Sequence, residues 1–230
     1  MGTDYSAIAG LLGHPARSAM IDALMDGRAL PAGDLARLAG VRASTASEHL
    51  GRLADGGLVT VTAQGRHRYF RISTTEVAVA LEAFARICPP TPIRSLRTSA
   101  QAEALRHART CYDHLAGMLG VAVMDAMRQR RWLAAADGGY RLTRAGGLAL
   151  VDVGVDVAAA AGRRRPFARP CIDWTERRPH LAGALGAALT TTMFDRGWIR
   201  RRDGRGVAAT GAGRIALRDV FGLSPAVLDS

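Results

Sequence analysis

Three prolines in four residues, Pro89-Pro90-Thr91-Pro92, constrain this chain more than any other segment. Each ring fixes φ and removes an N–H donor, so a helical pattern arriving there must stop. The 230 residues are therefore expected to form two regions, 1–90 and 99–230, with 91–98 as a Pro-rich hinge. A composition 48% hydrophobic and 22% charged suits folded domains rather than a disordered chain. No apolar run approaches the roughly 20 residues of a membrane span, and Met1-Gly2-Thr3-Asp4-Tyr5 lacks the layout of a secretory signal. The expected location is the cytoplasm, in association with the nucleoid, with no membrane partner.

Charge narrows the partner. All 31 basic residues are arginines against 20 acids, a net charge of +11 that favours a polyanion. Residues 1–98 carry +3 of this and residues 99–230 carry +8. Cys88, Cys111 and Cys171 are too few, and odd in number, for a disulfide framework, so free thiols are expected.

In the first region, Ile8, Leu11 and Leu12 mark a short helix, and Pro15 opens a second carrying Met20, Ile21, Leu24 and Met25. Leu35 and Leu38 mark a third helix that stops at Gly40-Val41. A fourth, from about Ala43 to Ala54, buries the stripe Ala46, Leu50 and Leu53 and turns a polar face outward. Leu58-Val59-Thr60-Val61 and Tyr69-Phe70-Arg71-Ile72 then pattern as two strands around a basic turn at Gln64-Gly65-Arg66. Ser73 and Glu76 have the spacing of a capping box for a last helix bearing Val77, Leu81, Phe84 and Ile87. Helix, short turn, helix and two-stranded wing make a winged helix-turn-helix.

The motifs Leu12-Gly13-His14-Pro15-Ala16-Arg17, Asp34-Leu35-Ala36, Ser44-Thr45-Ala46-Ser47-Glu48-His49-Leu50 and Gly57-Leu58-Val59 occur in this order. On them the first 90 residues or so resemble the arsenic-repressor (ArsR) family of bacterial transcriptional regulators. The resemblance implies a homodimer, formed through the first and last helices of the region, on a palindromic double-stranded operator. Glu48 stands where relatives commonly carry a basic residue, and Arg42 where a small hydroxyl residue usually caps the helix. Positions at which metal-sensing relatives carry a cysteine pair are Pro31 and Gly33 here, and Thr75–Glu82 contains no histidine, so neither usual metal site is present.

A helix in the major groove reads base edges with its outward face, while the wing and loops hold phosphates. That assigns Arg42, Ser44, Thr45, Ser47, Glu48 and Arg52 to DNA on the fourth helix, and Arg66, His67 and Arg68 to DNA from the wing. His49, beside Leu50, is assigned to packing ahead of a base contact.

The second region contains an internal repeat, about 107–150 and 171–217. His114-Leu115-Ala116-Gly117 recurs 66 residues later as His180-Leu181-Ala182-Gly183, Arg131-Trp132-Leu133 as Gly197-Trp198-Ile199, and Thr143-Arg144-Ala145-Gly146 as Thr210-Gly211-Ala212-Gly213. Each copy patterns as helix, aromatic exit, hairpin and helix, with Gly162-Arg163-Arg164-Arg165-Pro166 as a basic linker. The expected fold is mainly α with small β wings (α+β): a winged helix-turn-helix followed by two degenerate winged-helix-like repeats.

His107, Cys111, His114 and Met118 fall on one stripe if this stretch is a single helix, and with Cys171 or Asp173 they offer ligands for Zn, Cd, Pb or Cu(I). Alternatively Cys111 and Met118 are simply core. Trp174, Arg177 and Arg178 offer either an anionic ligand site or, in the case of Trp174, an anchor between the repeats. Arginines near Cys171 would favour its thiolate. An enzyme is not expected: no nucleotide fingerprint is present, no lysine exists for a phosphate loop, and Cys111, Asp113 and His114 on one helix would point apart. The expected function is a dimeric regulator, a repressor released when the second region senses a soft metal, thiol oxidation or a small molecule. The competing expectation is an architectural protein whose basic second region adds DNA contacts.

Overall fold

A computed structural model describes residues 2–89 and 96–229, and the chain divides into two units, 1–87 and 88–230. Residues 91–95 of the expected hinge lie outside the described residues.

The first unit begins with α1 (Tyr5–Leu12) and α2 (Pro15–Leu24). Pro15 occupies the first turn of α2, where its missing N–H costs nothing, and His14 Nδ1 accepts from Ala16 N as the cap. Next come β1 (Leu30–Pro31), α3 (Ala32–Leu38), α4 (Ala43–Asp55), β2 (Val59–Gln64), β3 (His67–Ile72) and α5 (Thr75–Ala85). The core takes Met20 and Leu24 from α2, Leu35 from α3, Leu50 and Leu53 from α4, and Phe70 and Ile72 from β3. Burying each of these side chains is worth about 1.5–3 kcal/mol.

Two expectations change. The wing has three strands rather than two, in the order β1-β3-β2, because Leu30 and Pro31 lie antiparallel to Phe70 and Tyr69. The cap of α5 is Thr74, whose hydroxyl accepts from Val77 N, while Ser73 Oγ donates to Gly57 O and ties the helix entry to the end of α4.

The second unit runs α6 (Leu96–His107), β4 (Arg109–Cys111), β5 (His114–Ala116), α7 (Gly117–Gln129), β6 (Leu133–Ala136), β7 (Gly139–Leu142), α8 (Arg144–Asp152) and α9 (Val157–Ala161). It continues β8 (Arg169–Ile172), β9 (Pro179–Ala182), α10 (Gly183–Asp195), β10 (Ile199–Arg201), β11 (Val207–Ala209), α11 (Gly211–Phe221) and α12 (Pro225–Leu228). Hairpin, helix, hairpin, helix thus occurs twice, and the helices after the inner hairpins open on Thr143 and Thr210, each capping the N–H three residues on.

The expected single helix through His107, Cys111, His114 and Met118 does not form. α6 stops at His107, Arg109–Ala116 is a tight hairpin pairing Cys111 with His114, and a new helix starts at Gly117. The two-residue turn is made by Tyr112, at φ 59°, and Asp113.

The two runs exchange contacts. α7 packs on β9, α10 on β5, and β5 approaches β9. Gly120 and Gly186 sit at these crossings: each packs on the strand of its own run, where a Cβ on Gly120 would lie 2.5 Å from Leu115 O and one on Gly186 2.3 Å from Leu181 O, and each also faces the Cβ of the opposite run's histidine. Thr190 Oγ1 on α10 accepts from Leu115 N on β5, fixing one of these contacts. Around this crossing, Leu119, Met124, Met127, Leu150, Leu185, Met193 and Leu217 form one core. No described helix is long and apolar enough to cross a membrane.

Candidate functional site

In the first unit, burial of Ala46, Leu50 and Leu53 turns Arg42, Ser44, Ser47, Glu48 and Arg52 to the exposed side of α4, with Thr45 half-buried. Arg42 is the N-cap residue and its side chain makes no capping bond, so the first-turn N–H groups at the positive end of the helix dipole have no side-chain cap from it. Arg52 donates to Glu48 Oε1 at 2.8 Å, one helical turn away, which partly cancels the charge of both. At the wing tip, Gly65 takes φ 58° and carries exposed Arg66, His67 and Arg68 beside it. His49 is buried, its ring 4.3 Å from that of His14 and its Nδ1 3.5 Å from Arg17 Nη1. Burial first, then the nearby His14 and Arg17, lowers the pKa of His49.

The second unit holds a different chemistry. Hairpin β4–β5 sets Cys111 opposite His114, and hairpin β8–β9 sets Cys171 opposite His180. The approach of β5 to β9 brings one donor atom from each of the four residues within 4.8 Å of the others. The two sulfurs stand 3.9 Å apart. Cys111, His114 and His180 are 2%, 4% and 0% exposed, and Cys171 is half-buried, forming the side nearest solvent. His114 Nε2 and both ring nitrogens of His180 are buried without a hydrogen-bond partner among the described residues.

Each imidazole is backed by a carboxylate. Asp113 Oδ1 lies 3.2 Å from His114 Nδ1, and Arg165 donates to its other oxygen at 2.6 Å. Asp173 Oδ2 lies 3.5 Å from His180 Nδ1 and accepts from Arg109 Nη2 at 2.9 Å and Gly117 N at 2.7 Å. Asp173 Oδ1 accepts from Thr175 N and Oγ1 and from Glu176 N. Burial alone would raise the Asp173 pKa, but Arg109 and these donors hold it well below the carboxylate range. Asp113 is lowered in the same way, burial being outweighed by His114 and Arg165. Burial would lower His114, yet the Asp113 carboxylate at Nδ1 and the neighbouring Cys171 sulfur raise it. Cys171 is held far below the usual thiol range by the Cys111 thiol first, against burial, and then by the two imidazoles. The cluster therefore favours a thiolate, the species that ligates metals and reacts with oxidants.

Of the expected ligand set, Cys111, His114 and Cys171 come together and His107 does not: its Nε2 donates to Val227 O at 2.7 Å. Asp173 stands behind His180 rather than beside the sulfurs. His180 is the member that sequence reasoning missed. Its match to His114 was visible, but Cys171 follows Cys111 by 60 residues and His180 follows His114 by 66, because the loop of the second hairpin is longer. Trp174 stacks under Arg109, whose guanidinium carbon lies 4.5 Å from the ring centroid; Arg178 pairs with Asp125; Arg177 is exposed.

A model of a helix-turn-helix domain matches residues 12–62. An uncharacterized HTH-type transcriptional regulator of Bacillus subtilis (strain 168), YdfF, is 40% identical over 217 residues, spanning 94% of this chain and 96% of that protein. Among solved structures, HlyU from Vibrio cholerae N16961 is 24% identical, with a TM-score of 0.33, over 36% of this chain and 88% of that one. The transcriptional repressor BigR from Xylella fastidiosa is 23% identical, with a TM-score of 0.34, over 37% and 87%. The cadmium metal-sensor CMTR from Mycobacterium tuberculosis is 28% identical, with a TM-score of 0.31, over 40% and 99%.

Proposed function

The chain belongs to the family of HTH-type transcriptional regulators, proteins that act by binding DNA rather than as enzymes, and from that premise we propose a homodimeric repressor of the ArsR type whose 88–230 unit senses the effector. The observation that carries the DNA-binding part is the outward face of α4. It presents Arg42, Ser44, Ser47 and Glu48 together at the end of the helix where unpaired N–H groups gather, the geometry that enters a major groove. Arg42 is assigned to a guanine edge and Ser44, Thr45 and Ser47 to bases or phosphates. Arg52 and the wing residues Arg66, His67 and Arg68 are assigned to the backbone.

Support for the dimer comes from the outer helices. α1 has no buried residue, α5 leaves Phe84 46% exposed, and Ile87 just past its end is 78% exposed, apolar surface that a second copy of the same surface would cover. A dimer calls for a palindromic operator with half-sites one helical turn, or a multiple of it, apart. Support for sensing comes from the buried Cys–His cluster, which is open to a soft metal or to thiol oxidation.

The test begins with an operator selected from random duplex DNA by the full-length protein. Arg42→Ala is expected to weaken operator binding by about 1–3 kcal/mol while barely changing binding to random DNA, and Arg66→Ala to weaken both alike. Equal losses for the two variants would overturn the assignment. The architectural reading draws on exposed Arg163 and Arg164. It requires the isolated 88–230 unit to bind DNA with a steep salt dependence, whereas the sensor reading expects no such binding.

A further inference from the structure

We propose that Cys111, His114, Cys171 and His180 are the four ligands of one closed tetrahedral site for a thiophilic divalent cation, Zn2+ first and Cd2+ as its competitor. Four donors within 4.8 Å of one another can share a single ion. Zinc–sulfur bonds of about 2.3 Å in a tetrahedron place two sulfurs about 3.8 Å apart; the observed separation is 3.9 Å. His114 Nε2 and the His180 ring nitrogens are buried without a hydrogen-bond partner among the described residues, and a cation between the two rings supplies one.

The second layer has the construction that such sites use. Asp113 behind His114 Nδ1 and Asp173 behind His180 Nδ1 orient the rings and leave Nε2 of each as the ligand atom. Arg165 and Arg109 hold those two carboxylates in turn. The cation class follows from the donors. Two sulfurs and two imidazoles suit zinc or cadmium, whereas magnesium and calcium demand oxygen ligands, and here both carboxylates are spent on the histidines. Two thiolates also neutralise a dication, which lets the site remain buried. Four protein ligands leave no position for a reactive water, so the site is of the structural or regulatory kind rather than catalytic. Each hairpin contributes one cysteine and one histidine, and the ion therefore joins β4–β5 to β8–β9.

Ion binding does not depend on the regulatory reading; that occupancy alters DNA affinity does rest on it. The experiment uses the reduced full-length protein, stripped with chelator and titrated with Co2+ and then Zn2+. The expected result is one Co2+ per chain, with the intense visible bands of tetrahedral cobalt and a near-ultraviolet thiolate charge-transfer band, both bleached by one equivalent of Zn2+. The Cys111→Ser, Cys171→Ser double variant is expected to lose the spectrum and Cys88→Ser to keep it. Asp113→Asn is expected to keep the bands with affinity about 10–100-fold weaker.

Should the double variant fail to fold, alkylation of the wild type decides: Zn2+ must protect Cys111 and Cys171 and leave Cys88, which is exposed, reactive. Weak octahedral cobalt absorption, bands that survive in the double variant, or equal alkylation with and without Zn2+ would overturn the site. Operator binding measured on the same samples separates the two ideas. Zinc bound without any change in DNA affinity keeps the site and removes the sensing role, while no zinc bound removes the site and leaves DNA binding as it was.

Discussion

Arg109 and Asp173 are both fully buried and pair at 2.9 Å, with the Trp174 ring against the guanidinium. A buried carboxylate stripped of its cation is strongly destabilising, so Arg109→Met should cost the 88–230 unit about 3–5 kcal/mol. Urea denaturation followed by tryptophan fluorescence isolates this unit, since Trp132, Trp174 and Trp198 all lie in it; a loss below about 1 kcal/mol would contradict the pairing. His49 governs a separate dependence in the first unit. Its folded pKa is lowered, so as pH falls below about 6.5 the unfolded state takes up the proton first and stability drops, levelling off only below the folded pKa. Hydrogen exchange at α4 amides should show that loss in the wild type and a flatter profile in His49→Gln. Single residues were unevenly legible in the sequence. The role of His49 followed from its place beside Leu50, whereas Cys111 and His114 entered the candidate site through a helix that does not exist. Their true relation is cross-strand pairing over a turn whose positive φ falls on Tyr112, a residue that gives no turn signal.

Elements carry the next layer of constraint. Gly186 lies where α10 crosses the end of β9, and a Cβ there would meet Leu181 O at 2.3 Å. Gly186→Ala should therefore push α10 away from β9, displace His180, and weaken Co2+ binding at least tenfold while the winged helix keeps its DNA affinity; unchanged cobalt binding would show that the crossing does not set the site. Phe84→Glu on α5, with Ile87→Glu just past its end, places charge on the exposed apolar surface. The expected outcome in sedimentation is a folded monomer with weakened operator binding, and a persistent dimer would assign the interface elsewhere. Helices with a clear apolar stripe, such as α4, were readable from periodicity alone. The first hairpin was not, because its strands are three residues each and every strand residue is buried, which leaves no alternation to detect. Nor was β1, whose two residues become a strand only through pairing with Phe70 and Tyr69.

At the scale of the whole molecule, the division into two units was legible and the long-range contacts were not. Trp132 and Trp198, and Thr143 and Thr210, stand at matching places in the element order of the second unit. The packing of α7 on β9 and of α10 on β5 is non-local, and it alone assembles a four-donor cluster from two cysteine–histidine pairs. Regulation requires that this cluster and the reading face of α4 communicate. An effector shifts DNA affinity only by its differential affinity for the DNA-binding and DNA-free states, typically about 1–3 kcal/mol, or roughly 5–150-fold. Linkage makes the effect reciprocal, so DNA must weaken zinc binding by the same factor that zinc weakens DNA binding. The most direct measurement is the operator dissociation constant of the reduced full-length protein, stripped and zinc-loaded, at one salt concentration. A repressor released by its effector binds at least fivefold more weakly when loaded, and Cys171→Ser abolishes the difference. Equal affinities for stripped and loaded protein, with zinc shown to be bound, would contradict the account.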